Sequence, residues 1–373
     1  MGPAQGGRPG PFGPARGAGR PAAPRPGGAR RASVPRPARH LRVREAGGPD
    51  PRREGAPKVS LPDDYKPDPR RVFGHYEIVA PLGRGGMAEV YRALELSGPR
   101  RGQTVALKRL HPSLASSPEY VDLFTSEADL ARMLDHPNIV KTYEVGQIRD
   151  TYYIAMEFVD GRDVGAIIKQ CRDRNISIPT GFALYFVKML LEALDYAHTL
   201  PAPSGRALCL VHSDVSPSNL FIARYGEVKL GDFGVARAGA GTAAPEAAVS
   251  GKPHYLPPEA ERGELSQSAD LWAANVLLYE LLTLQRPFDG ASPEQVLKSV
   301  RAGGWTPLRK VRPDIPVPVA DLVQRAFSRD PAARFPNARA FSDALTPLYD
   351  DRAAPPLAIA SLLRGLFGPN LGY

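Results

Sequence analysis

Cysteine is almost absent from this sequence of 373 residues, which contains only Cys171 and Cys209. The two cysteines are far apart, and neither stands in a spacing typical of a metal site or a redox-active pair. A disulfide framework and a structural zinc site are therefore excluded as the basis of the fold. A chain with so little cysteine suits a reducing compartment, and we expect a cytoplasmic protein.

Long uncharged hydrophobic runs are absent as well. The two most apolar stretches are 181–200 and 269–284. The first contains Lys188, Glu192 and Asp195, and the second has only 16 residues, whereas a membrane-spanning helix needs about 20 apolar residues. Both stretches therefore predict buried helices, and we expect no membrane partner.

Acidic and aromatic residues are scarce in the first sixty residues. This tail contains 12 Arg, one Lys, three acidic residues and a single aromatic residue, Phe12. Gly, Pro and Arg supply 36 of its 60 positions. The remaining residues provide too few apolar groups to form a core, so the composition predicts disorder. The tail lacks the apolar region of a secretory signal. An overcalled start codon is an alternative origin for part of it.

The formal charge of +9 is located almost entirely in that tail. The tail has a net charge of +10, which leaves −1 for residues 61–373. A nucleic-acid-binding domain usually has a basic patch on its folded part. The body of this chain lacks such an excess, so we expect no specific nucleic-acid partner, and binding through the tail remains a minor alternative.

The hydrophobic pattern of the body changes from alternating to helical along the chain. Alternation predicts strands at Tyr76–Gly83, Val90–Leu96, Thr104–Leu110, Ile139–Val145 and Tyr152–Phe158. From about Gly161 the pattern is mostly helical, interrupted by three short apolar pieces. This order predicts an α+β fold in which a small antiparallel sheet with one main helix precedes a larger, mostly helical lobe.

The main helix of the small lobe is predicted to begin at Pro118, with Ser117 as its N-cap. His136-Pro137 is expected to end it. Its apolar stripe is predicted to consist of Leu123, Glu127, Leu130 and Leu134. A carboxylate within an apolar face is costly unless a cation meets it, so Glu127 needs a positively charged partner.

The changes in composition and pattern also predict the domain boundaries. We expect a disordered tail over 1–70, the small lobe over 71–159, the large lobe over 160–350 and a helical C-terminal tail over 351–373.

A glycine-rich segment, Gly-Arg-Gly-Gly-Met-Ala-Glu-Val, joins the first two predicted strands at 83–90. Without Cβ atoms at the glycines, backbone amides can approach a polyphosphate closely. An ordinary hairpin turn is an equally good interpretation. A strand follows the loop, which excludes the dinucleotide-binding fingerprint, and no Gly-Lys-Ser/Thr end is present, which excludes a P-loop.

Lys108 is a cation among apolar residues on the third predicted strand. Glu127 lies on the next element and needs a cation, so the two residues are predicted to form an ion pair. With this pair the sequence resembles the protein kinase family, in which a strand lysine holds the α- and β-phosphates of ATP and a helix glutamate positions that lysine.

Further motifs of the same family follow in its usual order. His212–Asn219 resembles the catalytic loop, which implies that Asp214 is the catalytic base and that Asn219 binds Mg²⁺. Asp232-Phe233-Gly234 resembles the metal-binding triplet, which implies that Asp232 is the second metal ligand. The resemblance also extends to the end of the activation segment and its anchors, through Glu259, Asp270, Trp272 and Arg334.

The resemblance implies a nucleotide site at matching positions. Met156 corresponds to the gatekeeper, Glu157 and Val159 to the hinge that binds adenine, and Val90, Ala106 and Phe221 to the apolar residues around the ring. The glycine-rich loop adds Leu82, Gly83, Arg84, Gly85, Gly86, Met87, Ala88 and Glu89.

Three positions depart from the family pattern. Ser213 stands where an arginine usually receives an activation-loop phosphate, which puts activation by loop phosphorylation in doubt. Ser216 stands where a lysine usually contacts the γ-phosphate. Lys252 follows Gly251, where a threonine is usual, so we interpret Lys252 as a catalytic cation that replaces the one missing at Ser216. A solvent-exposed lysine on a mobile loop is the alternative.

The segments 85–90 and 136–140 look like those of bacterial Ser/Thr protein kinases. This resemblance implies an enzyme that uses ATP and Mg²⁺ to phosphorylate Ser and Thr of protein substrates. A pseudokinase that acts through protein contacts is the alternative. We also expect a homodimer as one route to autophosphorylation, and an input signal supplied by a partner.

Overall fold

The computed structural model describes residues 61–62, 64–201, 208–233, 252–262, 266–349, 356–369 and 371. The sequence predicts a disordered tail over 1–70. Residues 1–60 and 63 of this tail lie outside the described residues, whereas 61–62 and 64–70 are described. All described residues belong to one structural unit.

The small lobe contains an antiparallel sheet. Its strands are β1 (Val72–Phe73), β2 (Tyr76–Arg84), β3 (Ala88–Glu95), β4 (Thr104–Leu110), β5 (Thr142–Ile148) and β6 (Thr151–Glu157). They are arranged in the order β1-β2-β3-β4-β6-β5. The strand predicted at Thr104–Leu110 is confirmed as β4 with the same bounds. The predicted strand at Ile139–Val145 begins too early, because Ile139 instead forms an isolated bridge with Leu230.

Helix α1 (Pro118–Arg132) lies between β4 and β5 in the chain, and Ser117 occupies its N-cap position without a side-chain capping hydrogen bond. The helix ends before the predicted His136-Pro137, so Leu134 of the predicted stripe lies beyond it. The predicted apolar stripe is wrong at Leu123, whose side chain is 47 % exposed. The buried face instead contains Phe124 and Ala128, which pack against residues of β3, β4 and β6. The buried stripe is thus shifted by one residue from the predicted one at this end of the helix, while Glu127 stays buried in both.

The large lobe is mostly helical. Its helices are α2 (Val164–Asp173), α3 (Thr180–Thr199), α4 (Gln267–Thr283), α5 (Pro293–Ala302), α6 (Leu308–Val311), α7 (Val317–Ala326), α8 (Ala338–Leu345) and α9 (Pro356–Phe367). The large lobe also contains a short antiparallel sheet, whose first strand precedes α2 in the chain and whose other two strands follow α3. It consists of β7 (Gly161–Asp163), β8 (Leu220–Ala223) and β9 (Val228–Leu230).

Helices α3 and α4 form the centre of the core, as the two apolar stretches predict. Every residue from Ala269 to Thr283 is buried, so α4 is surrounded by protein on all sides. Within the described ranges, no helix has the length and hydrophobicity required to cross a membrane.

Candidate active site

Lys108 lies near the middle of β4 and forms the ion pair that the sequence predicts. Its Nζ is 2.9 Å from Oε1 of Glu127 on α1 and 2.6 Å from Oδ1 of Asp232, which follows β9. The Lys108 and Glu127 side chains are 14 % and 9 % exposed. A single ammonium therefore joins the sheet and helix of the small lobe to the large lobe.

Lys108 and Asp232 stabilise each other's charge, whereas desolvation raises the pKa of Glu127 above its ordinary value despite the nearby Lys108. Burial lowers the pKa of the Lys108 ammonium, but the carboxylates of Asp232 and Glu127 outweigh this effect and raise it above the ordinary value. Desolvation raises the pKa of Asp232, but the nearby Lys108 outweighs it and holds that pKa below the ordinary value. Lys108 and Asp232 are thus both charged at neutral pH.

The backbone at Asp232 has the left-handed conformation, with φ of +59°. The next residue, Phe233, is buried, and its ring centroid lies 4.5 Å from that of His212. Gly231, just before Asp232, donates its N–H to the carbonyl of Asn219. These contacts fix the direction of the Asp232 side chain. Gly234 of the predicted triplet lies outside the described residues.

Asp214 and Asn219 are held together by the side-chain amide of Asn219. Its Nδ2 donates to the backbone carbonyl of Asp214 at 2.9 Å and to Asp214 Oδ2 at 2.8 Å. Because the amide nitrogen is used in this way, the amide oxygen faces away from Asp214, where it accepts from Ser218 Oγ at 3.1 Å.

Oxygen atoms of Asn219 and Asp232 fit a hard divalent cation. Among the described residues, no group of three or more His, Cys, Asp or Glu side chains could hold a metal by itself. Mg²⁺ usually binds through one or two protein oxygens together with phosphates and water. The donor set is therefore suited to a metal that arrives with a phosphate-bearing ligand.

Asp270 at the start of α4 fixes the backbone of the catalytic loop. Its Oδ2 accepts from the His212 N–H at 2.8 Å, and its Oδ1 accepts from the Ser213 N–H at 2.9 Å. His198 Nε2 lies 2.8 Å from the same Oδ2. These contacts hold Ser213 in the left-handed conformation, with φ of +65°. The sequence resemblance named Asp270 as an anchor, but not these partners.

The ammonium of Lys252 lies beside the catalytic loop. Its Nζ is 2.6 Å from Ser216 Oγ, 2.7 Å from Ser218 Oγ and 3.5 Å from Asp214 Oδ1. The side chain is 42 % exposed, yet its charged end is hydrogen-bonded. The sequence suggested that Lys252 replaces the cation missing at Ser216, whereas the contact with Ser218 was missed.

The other predicted anchor is a buried ion pair. Arg334 and Glu259 form a bidentate contact, with Nη1–Oε1 and Nη2–Oε2 distances of 2.7 and 2.9 Å. The Arg334 guanidinium also lies over the Trp272 ring, 4.7 Å from its centroid.

The glycine-rich segment forms the turn between β2 and β3. Gly85 donates its N–H to the Ala88 carbonyl at 2.8 Å, which closes the hairpin. A Cβ atom added at Gly83 or Gly86 would meet nothing within 4 Å, and neither glycine has a positive φ. Packing and backbone strain therefore do not require these glycines, whereas close approach of a ligand to the backbone would.

The other predicted nucleotide residues lie on both sides of the segment that joins the lobes. Val90 is opposite Lys108 in the sheet, and Ala106 is opposite Met156, so the four side chains share one face of it. The Phe221 ring lies beside Gly231, where an added Cβ would come within 3.0 Å of it. The remaining predicted positions lie in or next to β2, β3 and β6, at Leu82, Arg84, Met87, Ala88, Glu89, Glu157 and Val159.

The fold consists of a small lobe with an antiparallel sheet and a larger helical lobe. These two lobes bring together a lysine, two aspartates and an asparagine. This combination defines a protein kinase fold. The model of the protein kinase domain matches residues 76–345. The chain belongs to this family.

Several bacterial protein kinases are similar to the chain. The tyrosine-protein kinase MasK of Myxococcus xanthus is 35 % identical over 300 residues, which cover 79 % of this chain and 46 % of MasK. The serine/threonine-protein kinase PrkC of Bacillus subtilis is 35 % identical, over 72 % of this chain and 40 % of PrkC. The serine/threonine-protein kinase PknA of Mycobacterium tuberculosis is 30 % identical, over 76 % and 63 %. The matched region is thus less than half of MasK and PrkC.

Proposed function

We propose that the protein transfers the γ-phosphate of ATP to Ser and Thr hydroxyls of protein substrates. The observation that carries this proposal is the pair of clusters Lys108–Glu127–Asp232 and Asp214–Asn219. Phosphoryl transfer needs charge stabilisation and positioning more than covalent chemistry, and these clusters contain the groups proposed to hold the α- and β-phosphates, the metal and the substrate hydroxyl.

Each residue of the clusters has a distinct role in this proposal. Lys108 binds the α- and β-phosphates, and Glu127 keeps its ammonium in place. Asp214 accepts the proton of the substrate hydroxyl and orients that hydroxyl towards the phosphate. The Asn219 amide fixes the carboxylate of Asp214 through the contact at 2.8 Å.

Asn219 and Asp232 would hold Mg²⁺, through the amide oxygen and the carboxylate. The metal supplies charge neutralisation on the phosphates when it is bound.

The base and ribose of ATP are proposed to lie between the glycine-rich turn and β8. Val90, Ala106 and Phe221 would contact the ring, Met156 would limit its depth, and the backbone of Glu157 and Val159 would bind its edge. The turn from Leu82 to Glu89 would cover the phosphates, since Gly83 and Gly86 have open space around them.

Lys252 is proposed to be the cation that contacts the γ-phosphate. The residue from which a kinase lysine usually does so is Ser216 here, and the Lys252 ammonium lies 2.6 Å from its hydroxyl. We further propose the limits 71–159 and 160–350 for the two lobes and 351–373 for the helical tail.

A single-turnover assay tests the proposal. The protein would be incubated with Mg²⁺ and γ-labelled ATP, with a general protein substrate, and the phosphorylated amino acids would be separated. Labelled phosphoserine or phosphothreonine that disappears in Asp214→Asn supports the proposal. Phosphotyrosine alone would instead place the chain with MasK in specificity. Nucleotide binding without any transfer would indicate a pseudokinase.

A further inference from the structure

The guanidinium of Arg224, which follows β8, connects two separate parts of the chain. Its Nε is 2.7 Å from Asp160 Oδ2, and its Nη2 is 3.1 Å from Asp160 Oδ1. Its Nη1 donates to the carbonyl of Pro369 at 2.9 Å. The Arg224 N–H also donates to the Asp160 carbonyl at 2.7 Å. Arg224 therefore fixes both the backbone and the side chain of Asp160.

Asp160 belongs to the short connection between the lobes. This connection leaves β6 after Glu157 and enters β7 at Gly161. Val159, which is proposed to bind the edge of adenine, directly precedes Asp160. Phe221, proposed to contact the ring, lies three residues before Arg224. A shift of Arg224 would thus displace the connection on which nucleotide binding depends.

The second partner of Arg224 belongs to what we call the α9 segment, which comprises helix α9, Gly368, Pro369 and Leu371. This segment is firmly docked on the large lobe. Ile359, Leu363 and Leu366 on one face of α9 are buried in the main core, as is Leu371. The docking is therefore built into the hydrophobic core.

Two further arginines hold the C-terminal end of the α9 segment. Arg174, just after α2, donates to the carbonyls of Gly365 and Leu366 at 2.8 and 2.6 Å. A cation at this position satisfies unpaired carbonyls and suits the negative end of the helix dipole. Arg162 of β7 donates to the Leu371 carbonyl, and its guanidinium lies 5.3 Å from the centroid of the Phe367 ring. Arg162 belongs to the strand that the connection between the lobes enters, and Arg174 caps the C-terminal end of the helix that follows this strand.

From this arrangement we infer that Arg224 is a positioning residue for the nucleotide site and that the docked α9 segment sets its position. The segment fixes one side of the guanidinium, so that the other side presents a bidentate contact to Asp160. The inference rests on the proposed use of ATP, and it adds that a segment outside the 76–345 match to the kinase domain controls how well ATP is bound.

The first test changes Arg224 in the full chain. In Arg224→Gln the glutamine side chain cannot make a bidentate contact with Asp160 and also reach Pro369. We therefore expect the KM for ATP to rise about threefold to tenfold, with kcat changed less than about twofold. Arg224→Lys, which keeps the charge, should recover part of the affinity. Arg364→Gln is the matched control, because Arg364 is on the exposed side of α9 and, among the described residues, its side chain donates to Ser361 of the same helix. A KM unchanged in Arg224→Gln would overturn the inference.

The second test examines whether the α9 segment acts through Arg224. Leu363→Asp should release the buried face of α9 and raise the KM for ATP by a similar factor. The double variant with Arg224→Gln should then be no worse than the poorer single variant, because both changes remove the same positioning. Multiplying effects would overturn the coupling. If Leu363→Asp lowers the melting temperature too far to assay, Leu371→Ala serves the same purpose.

Equilibrium binding separates this inference from the proposed function. Binding of a fluorescent methylanthraniloyl derivative of ATP, with Mg²⁺, reports on the nucleotide site without any phosphoryl transfer. Weaker binding in Arg224→Gln supports the inference even if the chain transfers no phosphate. Unchanged binding in an active enzyme would overturn the inference and leave the proposed function intact.

Discussion

The ammonium of Lys252 lies 2.6 Å from the hydroxyl of Ser216 and 3.5 Å from the carboxylate of Asp214. Lys252 comes from the segment that precedes α4, whereas Ser216 and Asp214 come from the catalytic loop, so the contact joins chain segments 36 and 38 residues apart. A positive charge is thus present at the position that the catalytic loop itself leaves neutral.

Replacing Lys252 tests whether this charge takes part in phosphoryl transfer. We expect Lys252→Thr to lower turnover by one to three orders of magnitude, about 1.4 to 4 kcal/mol of barrier, as is typical for removing one donor from a charged transition state. The KM for ATP should change far less. Steady-state kinetics would measure both, with Lys298→Thr on the exposed side of α5 as control.

A second variant asks whether the position of the charge matters. Ser216→Lys combined with Lys252→Thr should recover part of the lost turnover, because a cation then stands on the other side of the same contact. Ser216→Lys alone should bring no gain, since two ammonium groups would be crowded together. Effects that simply multiply across this double-mutant cycle would argue against an exchange of positions.

The Lys108 triad predicts a graded response to substitution. Lys108→Met and Asp232→Asn should each abolish detectable transfer while the far-ultraviolet circular dichroism spectrum stays unchanged, because both residues act on phosphates and metal. Glu127→Gln should be milder, since an amide oxygen can still accept from the ammonium at 2.9 Å. Insoluble protein from Lys108→Met or Asp232→Asn, or a Glu127→Gln variant as inactive as Lys108→Met, would contradict these assignments.

Activity is expected to be independent of phosphorylation in the activation segment. Ser213 stands where the phosphate-binding arginine is usual, and its hydroxyl is buried without a hydrogen-bond partner among the described residues. Thr242 and Ser250 lie outside the described residues, and we expect their combined change to alanine to leave most of the activity. A loss of about tenfold, or 1.4 kcal/mol, would reveal a phosphate-dependent switch.

The Arg334–Glu259 pair is predicted to be important for stability. Both side chains are almost fully buried, with 2 % and 6 % exposed. Removing one partner leaves a buried charge without compensation, so Arg334→Met should lower the free energy of unfolding by about 3 to 5 kcal/mol. Adding Glu259→Gln should cost less than the sum of the two single changes. Urea denaturation would measure these differences.

The sequence predicted best those features that arise from an uncompensated charge. Lys108 and Glu127 each required a partner of opposite charge because they lie among apolar residues. Lys252 stands where the family usually has a threonine, and Ser216 stands where it usually has a lysine. Local patterns did not predict that Asp232 would share Lys108 with Glu127, because that contact joins residues 124 positions apart.

Features that depend on the direction of packing were predicted less well. The spacing of apolar residues in α1 suggested a stripe through Leu123, but the sheet and its neighbours meet Phe124 instead. The sequence of α4 indicates no single apolar face, since the helix is surrounded by protein on all sides. In both cases the partner surface, absent from the local sequence, decides which residues are buried.

The three hydrogen bonds accepted by Asp270 tie the stability of the catalytic loop to that of the helical core. The loop carrying Asp214 has two of its amides satisfied by a side chain of α4, so its final conformation depends on α4 being packed in the core. Local opening of the small lobe leaves these bonds intact. The loop amides of His212 and Ser213 should therefore exchange with solvent as slowly as the helical core, and the catalytic loop should be lost only in global unfolding.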